Sequence, residues 1–138
     1  MTGEYTHLLD AKGRLAIPAK LRDDLGAVFY VTLSADKCLS AYSADSWKEF
    51  TDKVNAMSYK DQRRMRPLYA FATKVELDSQ GRVLLPQNLR DYAGLTKAVT
   101  VLGCNNHAEF WDSETWSAQA LLEMTPENIM AVMEEVNF

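Results

Sequence analysis

Leu9-Asp10-Ala11-Lys12-Gly13-Arg14-Leu15-Ala16-Ile17-Pro18 and Leu77-Asp78-Ser79-Gln80-Gly81-Arg82-Val83-Leu84-Leu85-Pro86 are two copies of one turn. The match extends without gaps over residues 7–26 and 75–94, where nine of 20 positions are identical. After a one-residue shift it resumes, with Tyr42-Ser43-Ala44-Asp45-Ser46-Trp47 against Trp111-Asp112-Ser113-Glu114-Thr115-Trp116. Similarity on this scale marks a structural unit present twice in the chain.

Within each unit the pattern reads as strand, tight turn, strand, short helix, two strands and a longer helix. Asp10 and Gly13, with strand-forming residues on both sides, suit a three-residue hairpin loop. Gly13, and Gly81 in the second copy, take the left-handed conformation there. Pro18 stops the strand and has the backbone angle favoured at a first helical position; Leu21 and Leu25 then share one helix face, and Gly26 closes it. Pro86, Leu89, Ala93 and Gly94 are the equivalents. Residues 28–33 and 98–102 are rich in β-branched and apolar side chains, as buried strands are, and a second short strand ends near Tyr42 or Trp111. Ser43 or Asp45, and Asp112, cap the following helices. The expected organisation is a first repeat over 1–60, a connecting helix over 61–73, a second repeat over 74–124 and a C-terminal helix over 125–138. Pro67 restricts or kinks the connecting helix.

Composition limits the function classes. The 138 residues carry a formal net charge of −4, which opposes nucleic-acid binding only if the charge is evenly spread. It is not: residues 98–138 hold seven acidic side chains and no Lys or Arg, which leaves 15 basic against 12 acidic residues, +3, over 1–97. A basic face is therefore available in the first part, with an acidic segment kept apart from it. No apolar run approaches the roughly 18 residues of a membrane helix, and the first residues lack the pattern of a signal peptide, so a cytoplasmic protein without membrane attachment is expected. Cys38 and Cys104 lack a CxxC spacing and read as free thiols. His7 and His107 have no ligand-spaced partners, so no metal or cofactor is expected. No nucleophile motif or phosphate loop suggests an enzyme.

The repeated Asp-x-x-Gly-Arg loop is the best candidate for chemistry. Asp10 and Arg14, like Asp78 and Arg82, flank the turn as close cross-strand neighbours. One reading is an ion pair that staples the hairpin. In the other, the carboxylate orients a guanidinium whose remaining donors face a phosphate or the O6 and N7 acceptors of guanine. Lys12 at the loop tip is placed to reach phosphate, and Gln80 could bond a base or backbone without adding charge. Lys20 and Arg22 are placed to extend this basic surface, but Arg22 and Arg90, each followed by Asp, read equally as solvated or paired helix residues. Tyr42, Trp47, Trp111 and Trp116 read as core aromatics in preference to a base-stacking platform.

Gly3-Glu4-Tyr5, His7, Leu9 to Leu15, Ile17 to Lys20, Leu77 to Arg82, Leu85-Pro86 and Glu109-Phe110-Trp111-Asp112 together resemble the MraZ family of bacterial transcription regulators over about the whole chain. Thr2 departs from the aromatic or bulky apolar residue often found there in that family, and residues 53–72 follow no family pattern. The resemblance implies an α+β protein with tandem pseudo-symmetric AbrB-like units, in which swapped hairpins form β-barrels with peripheral helices. It further implies a homo-oligomer, as a ring, that binds direct repeats in double-stranded promoter DNA of the division and cell-wall gene cluster. Repression, including of its own promoter, and a nucleoid-associated location would follow. Carried over onto this chain, the motif puts DNA contact on Lys12, Arg14, Gln80 and Arg82, with Asp10, Gly13, Asp78 and Gly81 shaping the loops. Two other readings remain open: an oligomeric scaffold that recruits a partner through its acidic segment, and an antitoxin-like AbrB relative that also neutralises a toxin.

Overall fold

A computed structural model describes residues 1–138. In chain order it contains β1 (Glu4–Leu8), β2 (Arg14–Ala16), α1 (Ala19–Leu25), β3 (Val28–Leu33), β4 (Leu39–Ser43), α2 (Ala44–Asn55), α3 (Tyr59–Arg64) and α4 (Arg66–Phe71). These are followed by β5 (Thr73–Glu76), β6 (Arg82–Leu84), α5 (Gln87–Ala93), β7 (Ala98–Gly103), β8 (Ala108–Asp112), α6 (Ser113–Glu123) and α7 (Pro126–Glu135). The order repeats, as the sequence requires, but the halves are not separate bodies.

Six strands form one antiparallel sheet in the order β1-β7-β8-β4-β3-β5, and β2 and β6 form a two-stranded ribbon. The first strand of each half lies on the other half: Tyr5 pairs with Val101 and Val75 with Phe29. Both halves meet again where Leu39 pairs with Phe110. In the ribbon Arg14 pairs with Leu84, Leu15 with Val83 and Ala16 with Arg82. Since residue 14 corresponds to 82 and 16 to 84, a local two-fold passes between Leu15 and Val83.

Alternation along the strands sends their apolar residues to one side. Phe29, Val31, Val99, Val101 and Phe110 meet Leu15, Ile17 and Val83 of the ribbon region, with Leu21 and Leu25 of α1 and Leu89 and Ala93 of α5, in one core of 18 buried residues. Each fully buried large side chain there contributes about 1.5–3 kcal/mol, so exchanging strands ties both halves into one cooperative unit. The other sheet face is covered differently at its two ends. Trp111, Trp116, Leu102 and Cys38 form a small buried cluster beneath α6. Tyr30, Tyr42, Trp47, Phe50 and Tyr69 make an aromatic group beneath α2 and α4, with Tyr30 and Trp47 stacked at 5.2 Å. The aromatics thus pack, as expected, and the buried Trp faces are closed to bases.

Ser43, Asp112 and Thr125 cap α2, α6 and α7 by accepting from the backbone N–H groups of Ser46, Thr115 and Asn128. Pro18 and Pro86 sit one position earlier than expected, as the residues preceding α1 and α5, with extended ψ values of 131° and 150°. The single connecting helix expected over 61–73 is two short helices, α3 and α4, meeting at Met65. The cause is Pro67, which has no N–H to continue α3 but is well suited to the first turn of α4. No helix is long and apolar enough to cross a membrane.

Candidate nucleic-acid interface

Each loop is built by its aspartate. Asp10 Oδ1 accepts from the backbone N–H groups of Lys12 and Arg14 at 2.9 and 2.8 Å, while Oδ2 accepts from Arg14 Nε at 2.6 Å. Asp78 repeats this with Gln80 N and Arg82 N, both at 2.9 Å, and Arg82 Nε at 3.0 Å. The chain reverses at Gly13 (φ 83°) and Gly81 (φ 75°), angles that disfavour any residue with a Cβ. Backbone N–H donation from Arg14 and Arg82, more than the guanidinium charges, holds Asp10 and Asp78 below the usual carboxylate range. Both carboxylates therefore stay ionised at neutral pH.

The ribbon brings the two loops together. Arg82 Nη1 lies 3.7 Å from Asp10 Oδ2, so the first loop's aspartate faces the second loop's arginine as well as its own. Gly13 O accepts from Leu85 N at 2.9 Å and Gly81 O from Ile17 N at 3.0 Å, so each loop is hydrogen-bonded to the opposite half. The sequence-predicted residues Asp10, Lys12, Gly13 and Arg14 thus lie beside Asp78, Gln80, Gly81 and Arg82. Lys12 and Gln80 are at the exposed tips.

Arg22 and Arg90 belong to the same surface, which the sequence left open. Neither is paired with its neighbouring Asp. Instead Arg22 Nε donates to Ile17 O and Arg90 Nε to Leu85 O, both at 2.8 Å. The guanidinium of Arg90 lies against Gly13 so closely that a Cβ there would stand 2.7 Å from Cζ, and Arg22 lies likewise against Gly81. Glycine is therefore needed at both turns for its backbone angle and for this close approach. Their identity at matched positions of the repeat was the signal in the sequence; their position across the pseudo-two-fold was not legible.

Four arginines are thus anchored through Nε, which leaves terminal guanidinium nitrogens to donate elsewhere. The ion pairs are about one-third exposed, with side-chain values of 34% and 32% for Arg14 and Asp10, so water screens them and their main effect is orientation. A rigid set of charge-assisted donors around two short loops suits phosphate oxygens and guanine edges.

One further cluster is outside this surface. His107, which lacked ligand-spaced partners in the sequence reading, places its ring within 4.8 Å of donor atoms of both Cys104 and Glu109.

Fold and site define a duplicated protein whose halves exchange strands and present a paired, arginine-rich loop surface. The family model described as MraZ protein, antitoxin-like, matches residues 1–66 and again residues 68–132. The chain belongs to the MraZ family, which is of regulator type and not enzymatic.

Proposed function

We propose that this protein is a transcription regulator that binds double-stranded DNA through the paired loops. Lys12, Arg14, Gln80 and Arg82 make the contacts, and Arg22 and Arg90 add charge beside the glycines. The observation that carries this reading is the ribbon that sets Arg14 opposite Leu84 and Arg82 opposite Ala16 about one local two-fold, with both guanidinium groups held by carboxylates and their free nitrogens available. In this reading the exchanged hairpins form an AbrB-like unit, and Asp10, Gly13, Asp78 and Gly81 fix its shape.

One loop pair is a weak electrostatic binder on a chain of net charge −4. A homo-oligomeric ring whose loop pairs engage successive promoter direct repeats would supply avidity that a single subunit lacks. Leu121, Leu122, Met130 and Phe138 on and after α6 and α7 are exposed apolar side chains that favour such association. By its family the target is the promoter of the division and cell-wall genes, including the protein's own, with repression as the outcome and the nucleoid as the location. The family description also favours an antitoxin-like role, in which the same DNA surface coexists with binding of a toxin.

The test is binding of the full chain to its own upstream DNA, with random DNA as competitor, at two salt concentrations. Selective binding that weakens steeply with salt is expected. Equal affinity for upstream and random DNA by an assembled oligomer would overturn the reading.

A further inference from the structure

The β7–β8 hairpin carries a cluster with no part in the loop surface. It turns tightly: Asn105 has φ 66°, and Cys104 N donates to His107 O at 2.8 Å. The turn folds Cys104 and His107 back towards Glu109, so that Sγ, a ring nitrogen and a carboxylate oxygen lie within 4.8 Å of one another. His107 Nε2 is 3.0 Å from Glu109 Oε2, and the other carboxylate oxygen accepts from Trp111 Nε1 at 2.9 Å. Cys38 Sγ, fully buried immediately before β4, lies 4.0 Å from that same Oε1. Two thiols, an imidazole and a carboxylate therefore meet, three from the second half and one from the first.

The corresponding positions of the first half are Ala35, Cys38 and Ser40, so the repeat does not require this set. It is peculiar to the second hairpin. A cysteine nucleophile activated by histidine does not fit, because the His107 ring nitrogens face Asn106 and Glu109 and neither is bonded to Cys104. Burial also pushes the Cys104 thiol up to about 11 and Cys38 up to about 12, the opposite of activation.

We propose that Cys104, His107 and Glu109 form a binding site for a zinc-class divalent cation, with Cys38 as the nearest fourth donor. A tetrahedral zinc ion with sulfur at about 2.3 Å and nitrogen or oxygen at about 2.0–2.1 Å separates its ligand atoms by about 3.3–3.8 Å. The Cys104, His107 and Glu109 donors lie within 4.8 Å of one another, so small side-chain rotations bring these three into that range, whereas Cys38, 4.0 Å from Glu109 Oε1, stands outside the set and has further to move. Mixed thiolate, imidazole and carboxylate ligation favours zinc over magnesium or calcium. On binding, each coordinating thiol gives its proton to solvent, and Nε2 of His107 exchanges its hydrogen bond to Glu109 for the metal, so affinity falls with falling pH.

The ion would brace the hairpin against the start of the chain. The Met1 amino group donates to Asn105 O at 2.9 Å, and Asn105 N donates to Met1 O at 2.8 Å. β1 runs from that point directly to the Asp10 loop.

The experiment is titration of metal-free full-length protein with Co2+, followed by displacement with Zn2+. One equivalent per chain, a thiolate-to-cobalt charge-transfer band and a change in tryptophan emission from Trp111 are expected, with Kd of about 1 µM or tighter for zinc. Cys104→Ser and His107→Gln should each weaken zinc binding at least tenfold, and zinc should raise the Tm of the wild type but not of Cys104→Ser. Absence of the charge-transfer band in the wild type, or a band that survives both substitutions, would overturn the proposal. The wild-type titration decides the matter even if a variant does not fold.

Discussion

Replacing Gly13 by alanine perturbs the loop in two separable ways. At φ 83° the new Cβ strains the backbone, at about 1–2 kcal/mol. The same Cβ would lie 2.7 Å from Arg90 Cζ, so the guanidinium must move and its Nε bond to Leu85 O is lost. For this partly exposed charged donor that loss is about 1 kcal/mol, at the lower end for such bonds. The sum is about 2–3 kcal/mol, which for a chain of this size lowers Tm by about 6–15 °C. In an Arg90→Ala background the collision is absent, and Gly13→Ala should cost only the backbone component. Thermal or urea unfolding of the four proteins in the cycle, at one subunit concentration, measures the coupling. About 1 kcal/mol of coupling is expected. Additivity within about 0.3 kcal/mol would refute the claim that Arg90 rests on the opposite loop's glycine.

Other consequences are simpler. Asp10 and Asp78 are held below their ordinary value of 3.8, so the folded chain binds fewer protons there than the unfolded one. Their stabilisation is complete above pH 3.8 and is lost as pH falls towards the depressed folded values; Asp10→Asn should flatten the urea midpoint against pH in that acidic window and leave neutral pH behaviour unchanged in slope. Phe110→Ala, at a fully buried position where both halves meet, should cost about 3–5 kcal/mol in urea unfolding with a single transition. Two transitions would show that the halves unfold separately. Asp112→Ala removes a cap that accepts from both Thr115 N and Oγ1 and should cost about 1 kcal/mol by the same assay.

The turns and caps were legible because their causes are local. Asp10, Gly13 and Arg14 specify a hairpin within five residues, and Asp112 caps the helix that it precedes. Strand pairing is not local: alternation in Val28–Leu33 says which side chains point inward but not that Val75, from the other repeat, lies beside Phe29. The exchange was implied only by the family resemblance. Arg22 and Arg90 were ambiguous for the same reason, since the adjacent Asp residues suggested ordinary helix charges and the glycine that each one covers is in the opposite half. His107 was read as lacking ligand-spaced partners because Cys104 and Glu109 approach it only through the turn at Asn105, and Cys38 only through the strand pairing of β4 with β8. Pro67 was read correctly as a restriction, although its effect was to divide the connection into two helices.

DNA contact by both loops is the core of the proposed function. Its most direct measurement is the affinity for the upstream DNA of Arg14→Ala, Arg82→Ala and the control Lys48→Ala, whose side chain is engaged with Asp52 on α2 at 2.7 Å. With folding and assembly checked, each loop variant should lose at least tenfold in affinity, corresponding to about 1.4 kcal/mol or more, while Lys48→Ala stays at the wild-type value. Wild-type affinity in both loop variants, or an equal loss in all three, would contradict the account.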